Sequence, residues 1–164
     1  MKTLKSILLF SFLIVSISSC GYQLRGSVSI EGLESIQVFA NNRNNVTRLL
    51  EQKLSPYRQD NIVNKPEYPA IRVLSVDTTR RQLSVNSSGR VDEYEISKTV
   101  KYQFIFSKTE IINGSLNANA SYDFHENQMQ GTREKEDIAI DTIDRNLVRK
   151  LLFRFKASFK ANST

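Results

Sequence analysis

The chain has 164 residues, 40% of them apolar, and 23 Lys and Arg against 17 Asp and Glu, a net charge of +6. That is one domain's worth of sequence with enough apolar side chains for a core, and its basic excess suits an anionic partner. A single cysteine and a single histidine exclude a disulfide framework and a metal centre built on His and Cys.

Lys2 and Lys5 precede an apolar run from Ile7 to Ile17, about eleven residues long. A transmembrane helix needs roughly 20 apolar residues, a secretory h-region roughly 7–15. Residues 1–19 therefore read as a signal peptide that is removed. Ile17-Ser18-Ser19-Cys20 looks like a bacterial lipobox, with an aliphatic residue at −3, small residues at −2 and −1, and the only cysteine at +1. An exported lone thiol has no disulfide partner, whereas a lipid-attachment site has a use for it. Cys20 is thus expected to be the acylated first residue of a mature domain, residues 20–164. Three acyl chains would hold it on a membrane essentially permanently. By analogy with lipoprotein sorting, Gly21 at +2 favours the outer membrane, on its periplasmic side. The mature chain loses Lys2 and Lys5 and carries +4. Its anionic partner is then lipid phosphate or lipopolysaccharide; export removes nucleic acid.

Beyond Cys20, Ser35–Ala40 alternates as a short strand and ends in a turn at Asn41-Asn42. Val46, Leu49, Leu50, Leu54 and Tyr57 then fall at helical spacing, with Asn45 as the expected cap and Pro56 as the stop. Pro66 and Pro69 punctuate a loop before a strand over Ala70–Val76. Asn86-Ser87-Ser88-Gly89-Arg90 has the composition of a hairpin tip. It leads into the strongest strand signal, Asp92–Phe106. There Tyr94, Ile96, Val100, Tyr102, Phe104 and Phe106 share one face, interrupted by Lys98, while Glu95, Ser97, Thr99, Lys101 and Gln103 line the other, with Ile105 as the exception. Leu116, Ala118, Ala120, Tyr122 and Phe124 should pair with it antiparallel across a turn at Asn113-Gly114. From Glu136 to about Lys160, Ile143, Leu147, Leu151, Phe155 and Phe159 make a helical stripe, with acids near its start and basic residues at its end as the helix dipole prefers. The expected fold is α+β, a two-layer sandwich with two helices on one face of a mixed, mostly antiparallel sheet of about four strands.

Catalytic chemistry is not in evidence. His125 stands in Asp123-Phe124-His125-Glu126, but neighbouring strand positions face opposite ways, so it reads as a surface residue near a loop. There is no glycine-rich phosphate loop and no G-x-S-x-G elbow. No enzyme, metal or cofactor is implied.

Cys20 followed at once by Gly21-Tyr22-Gln23-Leu24-Arg25-Gly26 resembles the opening of the LptE family of lipopolysaccharide-assembly lipoproteins. The order of elements is similar over essentially the entire mature chain. The resemblance implies a plug inside the LptD barrel of the outer membrane, one that helps the barrel fold and binds lipopolysaccharide. It also implies phosphate-binding cations in the hairpin tip and in the loop before the last helix. Arg133 falls at the matching loop position, with Lys135 beside it. In the tip, Ser87 stands where a basic residue is called for, and Arg90 is three residues on. A polar outer sheet face fits a hydrated lumen, into which Asn86–Arg90 and the Gln128–Arg133 loop would reach. The residues by themselves stop at an anchored α+β binding module. That leaves open an accessory outer-membrane lipoprotein that binds another envelope protein or phospholipid.

Overall fold

A computed structural model describes residues 30–57 and 69–162. The leader, Cys20, the motif at 21–26 and Pro66 lie outside the described residues. Period-two alternation builds three long strands: β2 (Ala70–Val85), β3 (Val91–Ile105) and β4 (Ile111–Asp123). They pair antiparallel in sequence order. A short β1 (Gln37–Ala40) adds in parallel to the first four residues of β2, giving the order β1-β2-β3-β4. Parallel neighbours need a crossover, and helix α1 (Asn45–Leu54) supplies it, ending in a 3-10 turn at Ser55–Tyr57. The last element is the 34-residue helix α2 (Met129–Asn162). It runs along β4 and β3 beside α1, so both helices cover the same sheet face.

The core lies between these layers. Ile96, Val100, Tyr102 and Phe104 of β3 are buried against Ile143, Leu147, Leu151 and Phe155 of α2, with Val46, Leu50 and Leu54 of α1 closing the side. Phe104 and Phe155 meet edge to face at 5.2 Å, and Phe155 stacks on Phe106 and Phe159. A 16-residue strand spans about 50 Å, and a 34-residue helix nearly the same. The domain therefore has two distant ends. At the base, Ile30 N–H donates to Tyr57 Oη at 3.0 Å and Gly32 lies against Phe159. At the tip, Asn86 Oδ1 accepts from the backbone of Ser88 and Arg90, and Gly89 takes a φ of +74°, which favours glycine.

The expected α+β sandwich is the observed one; four local readings are corrected. Asn44, not Asn45, caps α1: its Oδ1 accepts from Thr47 N and Thr47 Oγ1 accepts from Asn44 N, a reciprocal box. The β3–β4 turn is not at Asn113-Gly114 but just after Phe106, where Ser107 Oγ accepts from Thr109 and Glu110. Gly114 is inside β4 opposite Tyr102, and a Cβ there would lie 2.5 Å from the Tyr102 ring. Glycine is needed for that close approach, not for a turn. Helix α2 starts at Met129 rather than Glu136, so Arg133 is helical and not in a loop. Its first turns run beyond the core with Thr132 as the buried residue, which leaves no apolar period to read. Finally, the strand expected over Ala70–Val76 does not stop there but runs on through polar Asp77–Gln82 to Val85.

Candidate functional site

The sheet face turned away from the helices is polar over most of its length, with Phe39 and Ile111 exposed on it at the base end. β3 contributes Glu95, Ser97, Thr99, Lys101 and Gln103, as the alternation predicts, and the register sets β4 asparagines opposite Ser97, Thr99 and Gln103 and serines opposite Glu95 and Lys101. Asn117 Nδ2 donates to Ser97 Oγ at 2.8 Å and to Thr99 Oγ1 at 3.1 Å. Asn119 Nδ2 donates to Glu95 Oε2 at 2.8 Å, and Gln103 Nε2 to Asn113 Oδ1 at 2.8 Å. From β2, Arg81 Nε donates to Glu95 Oε1 at 2.7 Å. The hydrogen bonds from Arg81 and Asn119 hold the Glu95 carboxyl below the usual carboxylate range, and the Glu95 carboxylate raises the Arg81 guanidinium in turn. Ile105, the apolar exception, is 7% exposed. Cross-strand polar pairs of this kind stiffen the face while leaving donors and acceptors for water or a polar wall.

The tip end gathers the hairpin, the residues after β4 and the start of α2. Asn86, Arg90, Phe124, His125, Glu126 and Gln128 line an open dent of about 350 Å³. Thr132 Oγ1 fastens the segment by accepting from His125 N and donating to His125 O. His125 is exposed beside this loop, as expected. Around the dent, Arg80 lies 3.7 Å above the Tyr94 ring, next to Tyr122. Tyr122 Oη is buried with no hydrogen-bond partner among the described residues, and burial, with the Glu136 charge, pushes it up to about 12.

The three cations singled out from the sequence all lie at this end but do not converge on one spot. Arg90 reaches the dent and pairs with Glu126 at 3.0 Å. Lys135 pairs with Asp123 at 2.9 Å, which lowers the Asp123 carboxyl. Arg133 lines a separate hollow of about 590 Å³ on the solvent side of α2, among Glu134, Asp137 and Asp141. It makes no hydrogen bond or ion pair within the described residues. Ser87 remains a tip residue with Arg90 as its nearest cation in sequence.

Sequence reasoning missed the asparagine side of the polar face, because the misplaced turn hid the β3–β4 register. It also missed the work of the basic residues late in α2. Lys150 Nζ donates to Asn117 O at 2.9 Å, and Arg154 Nη1 to Ser115 O at 3.0 Å and Tyr102 Oη at 3.2 Å. They cover the free edge of β4 rather than forming only a solvated, dipole-matched face. Among the described residues, no His, Cys, Asp and Glu cluster could hold a metal, and no helix is long and apolar enough to cross a membrane.

The sequence pattern of the family described as LptE, lipopolysaccharide-assembly, matches residues 33–155. No curated protein sequence matches the chain. Among solved structures, an uncharacterized lipoprotein B from Nitrosomonas europaea is similar with a TM-score of 0.68 and 23% identity, over 86% of this chain and 94% of that one. The rare lipoprotein B from Shewanella oneidensis is similar at 0.65 and 16% identity, over 78% and 97%. A minor lipoprotein from Acinetobacter baumannii is similar at 0.60 and 16%, over 77% and 92%. At these identities the structures establish the shared fold.

Proposed function

The chain belongs to the LptE lipopolysaccharide-assembly family, and from that premise we propose that it is an outer-membrane lipoprotein that plugs and helps assemble the LptD barrel and binds lipopolysaccharide during export. The family is non-enzymatic. The anchor in this reading is Cys20, lipidated on the periplasmic side; the similar proteins from Shewanella and Nitrosomonas are themselves named lipoproteins.

The observation that carries the plug reading is the sheet face that the described residues leave uncovered. Both helices pack on one side, and the other side is a hydrogen-bonded array of Asn, Ser, Thr, Gln and Glu. A surface meant for a dry partner would show a contiguous apolar patch. A barrel lumen is polar and hydrated, and a polar wall can exchange hydrogen bonds with such an array directly or through water.

Lipopolysaccharide is assigned to the tip end, with Arg133, Arg90 and Lys135 offered to its phosphates. Arg133 can meet a phosphate without breaking an ion pair of the described residues, whereas Arg90 and Lys135 exchange Glu126 and Asp123 for it. The carboxylates around Arg133 make binding there sensitive to salt. Charge-assisted contacts contribute roughly 1.5–3 kcal/mol each when well formed. An Arg90→Asp, Arg133→Asp double variant should therefore keep its circular dichroism and melting behaviour while binding lipopolysaccharide at least tenfold more weakly, roughly the loss of one such contact. Undiminished binding at moderate salt would remove the tip end as the ligand site.

A further inference from the structure

The two edges of the sheet are treated differently. Lys150 and Arg154 reach across to carbonyls on the β4 edge. On the β2 edge, β1 pairs only as far as Val73, and Asn41 Nδ2 reaches Leu74 O. From Ser75 to Gln82 the described residues place nothing on that side of β2. This stretch is also its most regular part: irregularities fall at Leu74 and Leu83, and between them the pairing with β3 runs unbroken from Ser75–Lys101 to Gln82–Tyr94. An open, regular edge presents unpaired N–H and C=O groups to a further strand.

We propose that this edge pairs with the same edge of a second copy, antiparallel about a two-fold axis at Thr79, to give a continuous eight-stranded sheet. The sequence of the segment selects that register. With Thr79 opposite Thr79 of the partner copy, Asp77 on the outer face stands directly across from Arg81 of the other chain, twice by symmetry, and on the inner face Thr78 stands across from Arg80. An axis at Asp77, Arg80 or Arg81 would instead set like charges face to face, which is destabilising, and an axis at Thr78 would leave Asp77 opposite Thr79 with no charge partner. Arg81 already gives Glu95 its Nε and is 68% exposed, so its guanidinium has donors left for a second carboxylate. Arg80, which lies diagonally from its own copy, is drawn back over the Tyr94 ring, away from the axis. The pairing is isologous and closes on itself, so it makes a dimer and not a fibre. It belongs to the free lipoprotein, since a second copy on this edge and a barrel wall around the sheet exclude each other.

Register-specific disulfides in the full chain test this. Residues 77 and 79 are exposed, so cysteine there leaves the core intact. Directly opposed antiparallel residues have Cα atoms about 4.5–5.5 Å apart, inside disulfide range. The two copies of residue 77 would be more than about 13 Å apart. Under mild oxidation of purified protein, Thr79→Cys should give a disulfide-linked dimer at least about tenfold above both Asp77→Cys and the wild-type chain, in which acylated Cys20 has no free thiol to pair. Adding Asp77→Lys to Thr79→Cys should lower the yield several-fold by placing Lys against Arg81 of the other copy. Dimer at background level, equal yields at 77 and 79, an Asp77→Lys yield that does not fall, or, when Thr79→Cys is oxidised in intact cells, capture of a different protein with no self-dimer, would each overturn the proposal.

Discussion

Asp144 has none of its side chain exposed, yet it is a helix residue facing the sheet. Lys98 Nζ meets its Oδ1 at 2.7 Å and Asn45 Nδ2 its Oδ2 at 2.8 Å, so one carboxylate ties β3, α2 and the start of α1 together. Removing one partner of a buried pair leaves an uncompensated charge, which costs about 3–5 kcal/mol. Asp144→Ala should lose about that much in urea unfolding, and a Lys98→Met, Asp144→Leu pair should recover most of it. Half of this was visible in the sequence. Lys98 interrupts an otherwise apolar face, which says that something must answer it; that Asp144 is the answer depends on the rotation of α2 against β3. Tyr122 makes the opposite case, a buried hydroxyl with no hydrogen-bond partner among the described residues. Its folded value near 12 lies above the ordinary 10. The unfolded chain therefore releases the proton first, and stability from the neutral phenol is present below pH 10 and lost as pH rises toward 12. Tyr122→Phe should leave neutral-pH stability unchanged or slightly higher and flatten that alkaline loss, read as melting temperature against pH.

At the level of elements, the long strands and the stripe of α2 were legible because burial imposes their periods, and the errors fall where burial is absent. Asp77–Gln82 is exposed on both faces, so nothing in its pattern announces a strand. The first turns of α2 project past the core and carry no stripe beyond Thr132. Asn113-Gly114 failed for another reason: the Asn-Gly pair is a strong turn signal, but here glycine makes room for Tyr102. That ring is packed 4.5 Å from Phe104, and its hydroxyl accepts from Arg154, so it cannot easily withdraw. Alanine ordinarily suits a strand better than glycine. Gly114→Ala should nonetheless destabilise by about 1–3 kcal/mol through overpacking. A double-mutant cycle with Tyr102→Leu should show the cost shrinking when the ring is gone. The same contact fixes register, because shifting β4 by one residue would put Asn113 or Ser115 under the ring and turn the apolar set outward.

On the scale of the molecule, a sheet about 50 Å long separates a base, where the described chain enters beside Tyr57 and Phe159, from a tip that carries Arg90, Lys135 and Arg133. One broad face is sealed by helices and the other left polar. The outer face of β3 could be read from the sequence residue by residue. Its partners on β4 and β2 could not, since they depend on register, and enclosure by a barrel depends on a second protein. The most direct test of the plug is a photo-crosslinking residue at Thr99, midway along the polar face, with Ser88 and Gln130 at the tip end as companions, in living cells. All three positions should capture one and the same outer-membrane barrel protein. Crosslinks at Thr99 only to soluble periplasmic proteins, or to none while the chain is correctly anchored, would contradict the plug.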